Sequence, residues 1–133
     1  MNGSNVRRTA VIGMRVLLSC LCMVSPAMAA EALDEDLMYD IDDLNAAIKS
    51  AVAKQDAPHA TADAKKLRAL FAAVERHYAQ AGGADDAVGF ARKGQSLSEQ
   101  IALGATAGQW PQALKAYQDL SGTCKSCHAR YKP

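Results

Sequence analysis

Apolar residues recur at every third or fourth position along most of the chain, a spacing that predicts amphipathic α-helices rather than strands. The acidic residues in the first half of the first such stretch are favourable near a helix N-terminus. The helix is expected to end before residues 55–58, because Pro58 disfavours helical geometry in the residue that precedes it. The apolar stripe of this helix is Leu33, Leu37, Ile41, Leu44, Ile48 and Val52.

A second helix is expected to begin near Thr61 or Asp63. Gly82 and Gly83 should terminate it, since glycine readily adopts the left-handed conformation that ends helices. Its predicted inward stripe is Leu67, Leu70, Phe71, Val74, Tyr78 and Ala81.

The third and fourth helices have weaker boundary signals. Asp85 is the predicted cap of the third helix, and Gly104 and Gly108 are expected to bracket the loop that follows it. The fourth helix should open at Pro111, because the first helical position does not need a backbone N–H. The predicted inward residues are Val88, Phe90 or Ala91, Leu97 and Ile101, then Leu114, Tyr117, Leu120 or Ser121, Cys124, Cys127 or His128, and Tyr131.

The N-terminal residues follow a different pattern. Arg7, Arg8 and Arg15 precede an apolar run at residues 16–24 that is too short to span a bilayer. Small residues follow, as in a secretory signal peptide. We therefore expect residues 1–29 to be removed on export, with cleavage one residue later equally compatible. Residues 30–133 would then form one periplasmic domain without stable membrane insertion.

Three variants of this leader stay open. Arg7 and Arg8 are compatible with a twin-arginine signal, and residues 17–20 loosely resemble a lipoprotein cleavage site. A translation start at Met14 instead of Met1 is the third, because Arg15 interrupts what would otherwise be a longer apolar stretch.

Charge argues against nucleic-acid binding. Three of the 15 lysine and arginine residues lie in the leader, whereas all 14 acidic residues lie beyond it, which leaves residues 30–133 with a formal charge of −2. A nucleic-acid-binding domain would carry a clustered basic surplus instead.

The most informative motif is Cys124-Lys125-Ser126-Cys127-His128. Two cysteines two residues apart, followed directly by histidine, form the pattern of covalent c-type haem attachment. On a helix, Cys124, Cys127 and His128 are related as i, i+3 and i+4 and project from one face. The two thiols would bond the haem vinyl groups, and His128 would be the proximal ligand of the iron.

Two other kinds of protein site also use Cys-x-x-Cys pairs. A thioredoxin-like redox pair is expected near a βαβ pattern, which the chain lacks. A closed zinc site needs four ligands, yet the mature chain has no further cysteine, and His59 and His77 are far apart in the sequence.

The segment Cys124-Lys125-Ser126-Cys127-His128-Ala129-Arg130-Tyr131-Lys132 resembles the C-terminal haem motif of class II cytochromes c, which comprise the cytochrome c′ family and its low-spin, methionine-ligated relatives. The organisation of the whole mature chain is similar to that family, but only this motif is specific. The resemblance implies an all-α, antiparallel four-helix bundle with one covalent haem c. The short loops independently favour up-down-up-down connectivity.

In that topology Met38 and His128 lie at the same end of the bundle. Met38 is the one methionine outside the leader, and we expect it to be the sixth iron ligand. An empty sixth site and ligation by His77 are the alternatives, whereas His59 would lie at the opposite end. The expected haem wall is Val74, Tyr78, Val88 and Phe90.

Three functions are compatible with such a haem. The first is a non-enzymatic electron carrier with His/Met-ligated iron, whose partners are periplasmic redox proteins. The second is a five-coordinate, cytochrome c′-like binder of nitric oxide or carbon monoxide. Asp34 stands where that branch often has an arginine near a haem propionate, which favours the carrier. The third, peroxidase chemistry, would need a distal acid-base residue, for which His77 is the candidate. Homodimers built through the first two helices are common in the family, so both monomer and dimer remain open.

Overall fold

The computed structural model describes residues 33–132, which contain four α-helices and no strand. The all-α prediction is therefore confirmed for this part of the chain. The predicted leader lies outside the described residues. The helices are α1 (Glu35–Ala53), α2 (Ala57–Ala81), α3 (Asp85–Thr106) and α4 (Trp110–Tyr131). None of these four helices is long and apolar enough to cross a membrane.

Helix α1 follows the predicted pattern. Asp34 caps it by accepting a hydrogen bond from the Asp36 backbone N–H at 3.1 Å, and two acidic residues occupy the first turn. The apolar stripe faces the core: Ile41, Ile48 and Val52 are buried, while Leu33, Leu37 and Leu44 pack half-buried against it.

The predicted start of α2 is wrong. The helix begins at Ala57, and the side chain of Asp56 caps it by accepting from the His59 backbone N–H at 3.2 Å. Pro58 lies within the first turn, where its missing N–H removes no intrahelical hydrogen bond. The predicted end is confirmed, since Ala81 is followed by Gly82 and Gly83 at φ values of 71° and 73°.

Helix α3 differs from its predicted boundaries at both ends. Asp85 is its first residue rather than its cap, which is Ala84. Gly104 lies within the helix, so the loop comprises residues 107–109. A Cβ at Gly104 would lie 3.1 Å from the backbone nitrogen of Ala113. The glycine therefore allows α3 and α4 to approach closely.

The same close approach corrects the stripe predicted for α4. Leu114 was expected to face inward, but it is 46% exposed, whereas Ala113 and Ala116 are buried. Small residues occupy the interface because α3 leaves too little room for leucine. The helix also begins at Trp110, one residue before the predicted start.

Contacts across the helix interfaces show which parts of adjacent helices lie together. Between α2 and α3, Thr61 hydrogen-bonds Thr106 at one end, and Glu75 pairs with Arg92 nearer the other. Between α3 and α4, Gly104 meets Ala113 and Asp86 meets Arg130. These contacts are consistent with an up-down arrangement of α2, α3 and α4. Helix α1 packs mainly on α2 and contacts α4 only sparsely, which leaves a seam between α1 and α4.

Gly94 provides a test of the α2–α3 packing. A Cβ at this position would lie 2.7 Å from Cδ1 and 2.8 Å from Cγ of Phe71, a buried ring that would have to move. We expect Gly94→Ala to lower the free energy of unfolding by about 1–3 kcal/mol. In Gly89→Ala the new methyl group meets open space, so this control should raise the free energy of unfolding by about 0.5–1 kcal/mol through helix propensity. Equal effects of both changes in chemical denaturation would contradict the packing described here.

Candidate cofactor site

The last two turns of α4 place Cys124, Cys127 and His128 together. All three are half-buried and line one pocket, hereafter the inner pocket. Both cysteines are free thiols. The helical spacing predicted from the motif is therefore realised, with two thiols and an imidazole directed at one space.

Met38 reaches the inner pocket from α1. It is half-buried and packs against the edge of the core. Its position across the seam from His128 brings together the two residues predicted as axial ligands.

The remaining wall of the inner pocket is mostly apolar. Of the four residues predicted to form it, Val74 and Phe90 line the pocket, whereas Tyr78 and Val88 do not. Phe71 was predicted only as a core residue of α2, although its place on the same stripe as Val74 was a usable signal. The residues missing from the predicted wall are Ile41, Asp42, Phe71, Ala91 and Thr123.

A second concavity, hereafter the outer groove, opens on the solvent side of the seam. It shares Ile41, Asp42, Cys124 and His128 with the inner pocket, so these residues are approached from two sides. Its other residues are largely polar, and the buried Oδ1 of Asn45 has no hydrogen-bond partner among the described residues. They are Asn45, Ser121, Lys125, Ala129 and Lys132. The site is therefore apolar inside and polar outside.

The environment of the two thiols disfavours thiolate. Burial raises the pKa of Cys124, and the nearby Asp42 carboxylate raises it further. Burial likewise raises the pKa of Cys127, with a smaller contribution from Asp86. Both effects penalise negative charge on sulfur. The cysteines are thus protonated thiols at neutral pH rather than activated nucleophiles of the redox-enzyme type.

Asp86, at the start of α3, holds the end of α4. The Tyr131 hydroxyl donates a hydrogen bond to Asp86 Oδ1, and Arg130 Nη1 lies 2.6 Å from Asp86 Oδ2. The hydrogen bond from Tyr131, followed by the charge of Arg130, lowers the pKa of Asp86, and the same hydrogen bond raises the pKa of Tyr131. Asp86, Arg130 and Tyr131 are hereafter the Asp86 anchor; Arg130 and Tyr131 follow the Cys-x-x-Cys-His motif by two and three residues.

The two other histidines lie away from the inner pocket. His77 packs edge-on against Tyr78, with ring centroids 5.1 Å apart, and does not line the pocket wall. His59 lies in the first turn of α2, where its Nδ1 is 2.8 Å from Asp56 Oδ2. Within residues 33–132, no three His, Cys, Asp or Glu side chains come together as a metal site. The zinc interpretation therefore finds no ligand set there.

Comparisons with models of protein families, with curated proteins and with solved structures find no match. The function is therefore argued from the residues of the site. These fit a haem in donor set and polarity: two thiols spaced for two vinyl groups, an adjacent imidazole, a thioether opposite, and walls of aliphatic and aromatic side chains.

The thiol environment predicts a measurable pH dependence. In the haem-free protein, Cys124 and Cys127 should be alkylated by iodoacetamide more slowly at about pH 8 than in the denatured chain, because their raised pKa values reduce the thiolate fraction. Asp42→Asn should lower the pKa of Cys124 and leave Cys127 unchanged, which serves as the internal control. Peptide mass spectrometry across a pH series measures each cysteine separately. Alkylation as fast as in the denatured chain would contradict the described burial.

Proposed function

We propose that the protein is a periplasmic monohaem c-type cytochrome and that it carries electrons. The observation that supports this most strongly is the meeting of Cys124, Cys127 and His128 of α4 with Met38 of α1 around one largely apolar pocket. In this proposal one haem c is covalently attached to Cys124 and Cys127. His128 is the proximal iron ligand and Met38 the sixth ligand, within an antiparallel up-down-up-down bundle.

The residues have separate tasks in this proposal. Cys124 and Cys127 would hold the haem through one thioether bond each, and these additions of thiol to vinyl would require no external oxidant. A haem iron held by imidazole and thioether supplies one-electron transfer, and a thioether ligand favours the ferrous state.

The lining of the inner pocket supports a carrier rather than an enzyme. Apart from the two thiols, its titratable side chains among the described residues are Asp42 and His128. His128 is assigned to the iron, and His77 lies outside the pocket lining. Peroxidase chemistry would require a distal acid-base residue beside the iron. We therefore assign no catalytic residue.

The alternative function is reversible binding of nitric oxide or carbon monoxide at five-coordinate iron. One observation favours it: Ile41, Phe71, Val74 and Phe90 surround the space near Met38 with apolar groups. Such a lining would admit a small uncharged gas if Met38 did not bind iron. The carrier is preferred because the thioether of Met38 already lines the pocket.

The location and the partners follow from the leader and the chemistry. A signal peptide at residues 1–29 would deliver the chain to the periplasm, where electron exchange occurs with other redox proteins. The acidic surface of α1, formed by exposed Asp and Glu residues, together with the formal charge of −2 on residues 30–133, makes nucleic acid an unsuitable partner.

The first prediction of this proposal concerns covalent attachment. The purified protein should retain one haem per chain after extraction with acidified acetone, because thioether bonds survive denaturation. Cys124→Ala combined with Cys127→Ala should abolish retention. Lys125→Ala, which changes a residue between the two cysteines and leaves both thiols in place, is the matched control and should keep it. A wild-type protein whose haem extracts completely would contradict the proposal.

The second prediction concerns the sixth ligand. The wild type should be low-spin in both oxidation states, whereas Met38→Ala should be high-spin and bind carbon monoxide in the ferrous state, because its axial position is open. His77→Ala should keep the wild-type spectrum. A ferrous wild type that is already high-spin and binds carbon monoxide would favour the gas-binding alternative.

A further inference from the structure

We infer that Asp86 is a positioning residue that fixes the direction of the His128 imidazole by holding the last turn of α4 against α3. This inference rests on the proposed function, in which His128 binds the iron. Asp86 lies on a different helix from the motif, 38 positions before Cys124 in the sequence. No sequence motif links it to haem attachment.

The last turn of α4 has few other supports. The His128 carbonyl accepts from the Lys132 N–H at 3.0 Å, which closes the helix. Among residues 33–132, no hydrogen bond reaches the His128 ring. Helix α1 contacts α4 only sparsely, so the side of α4 that faces the seam has little packing against another helix. The orientation of His128 is therefore determined mainly from the α3 side.

Asp86 supplies that support through one hydrogen bond, from Tyr131, and one ion pair, with Arg130. The hydroxyl of Tyr131, three residues after His128, donates to Asp86 Oδ1 in a half-buried setting. The Arg130 ion pair is more exposed, with 68% of the arginine side chain accessible, and solvent screening reduces its contribution. The Tyr131 hydrogen bond is thus the stronger of the two.

The anchor also reaches α2. The Tyr131 ring packs against Tyr78 with centroids 5.2 Å apart and planes inclined by 56°. Tyr78 lies in the last turn of α2, where its carbonyl accepts from the Gly82 N–H. One carboxylate and two aromatic rings therefore join the ends of three helices beside the haem motif. A tilt of the last α4 turn would have to break this set of contacts.

The test compares helix unfolding with loss of the iron ligands in the haem-loaded protein. In Asp86→Ala, the low-spin absorption should be lost at a guanidinium midpoint about 0.5 M below that of helical circular dichroism, because the last turn opens before the bundle unfolds. Amide exchange at Tyr131 and Lys132 should accelerate about tenfold. Tyr131→Phe should behave similarly, while Asp86→Asn should be intermediate because its amide oxygen still accepts from Tyr131.

Glu75→Ala is the matched control. Glu75 is also a partly exposed carboxylate that joins two helices, since it pairs with Arg92 at 2.7 Å across α2 and α3. Among residues 33–132, no hydrogen bond or ion pair joins Glu75 to α4. Its loss should shift the absorbance and dichroism midpoints together. If Asp86 contributed only to the stability of the bundle, Asp86→Ala would likewise shift the absorbance and dichroism midpoints together.

The outcomes separate this inference from the proposed function. A wild type without covalent haem would overturn the proposed function and, with it, any role of Asp86 toward iron. If haem is present, coincident transitions in Asp86→Ala and Tyr131→Phe would overturn only the role of Asp86. Asp86→Asn and Tyr131→Phe keep the test decisive if Asp86→Ala does not fold.

Discussion

The packing of α4 on α3 is the constraint on which the site depends. At one end of this interface the backbone of Ala113 approaches Gly104 so closely that a Cβ would lie 3.1 Å from a nitrogen atom. At the other end Asp86 holds Arg130 and Tyr131. These two points fix the rotation of α4 about its own axis. Cys124, Cys127 and His128 consequently face the seam with α1.

The site is apolar on the inner side of the seam and polar on the side that faces solvent. Toward α2 and α3 it meets Phe71, Val74 and Phe90, and toward solvent it meets Lys125 and Lys132. A flat amphipathic molecule with an apolar ring system and carboxylate groups suits such a boundary. The polar rim would keep the charged groups of such a molecule hydrated, while the apolar interior would shield its ring system from water. Burial in the same interior raises the pKa of the two thiols.

The sequence predicted which side chains of the motif lie together better than it predicted the helix boundaries. The i, i+3, i+4 relation in the motif placed three side chains on one face, and the stripe of α1 placed Met38 near its edge. The boundary errors arose where local signals compete. Pro58 was interpreted as part of the break between the first two helices. Proline is nevertheless tolerated in the first turn of α2, because Asp56 provides the cap.

Tertiary packing was the other source of error. Leu114 fits a periodic apolar stripe, but a glycine on α3 selects the alanines beside it for the interface. Asp86 gave no sequence signal, because its role depends on a contact 45 residues away. Periodicity describes one helix at a time and cannot identify which small residue on a neighbour allows close approach.

The unequal packing of the four helices bears on how the proposed ligands would differ. His128 belongs to a helix tied to α3 at both ends, whereas Met38 belongs to α1, which packs on α2 and only sparsely on α4. Movement of α1 would therefore change the distance between Met38 and the iron more readily than it would disturb His128. A proximal ligand on the firmly held element and a sixth ligand on the loosely held one would make the methionine bond the weaker of the two. The gas-binding alternative then differs from the electron carrier by a small displacement of α1 rather than by a different fold.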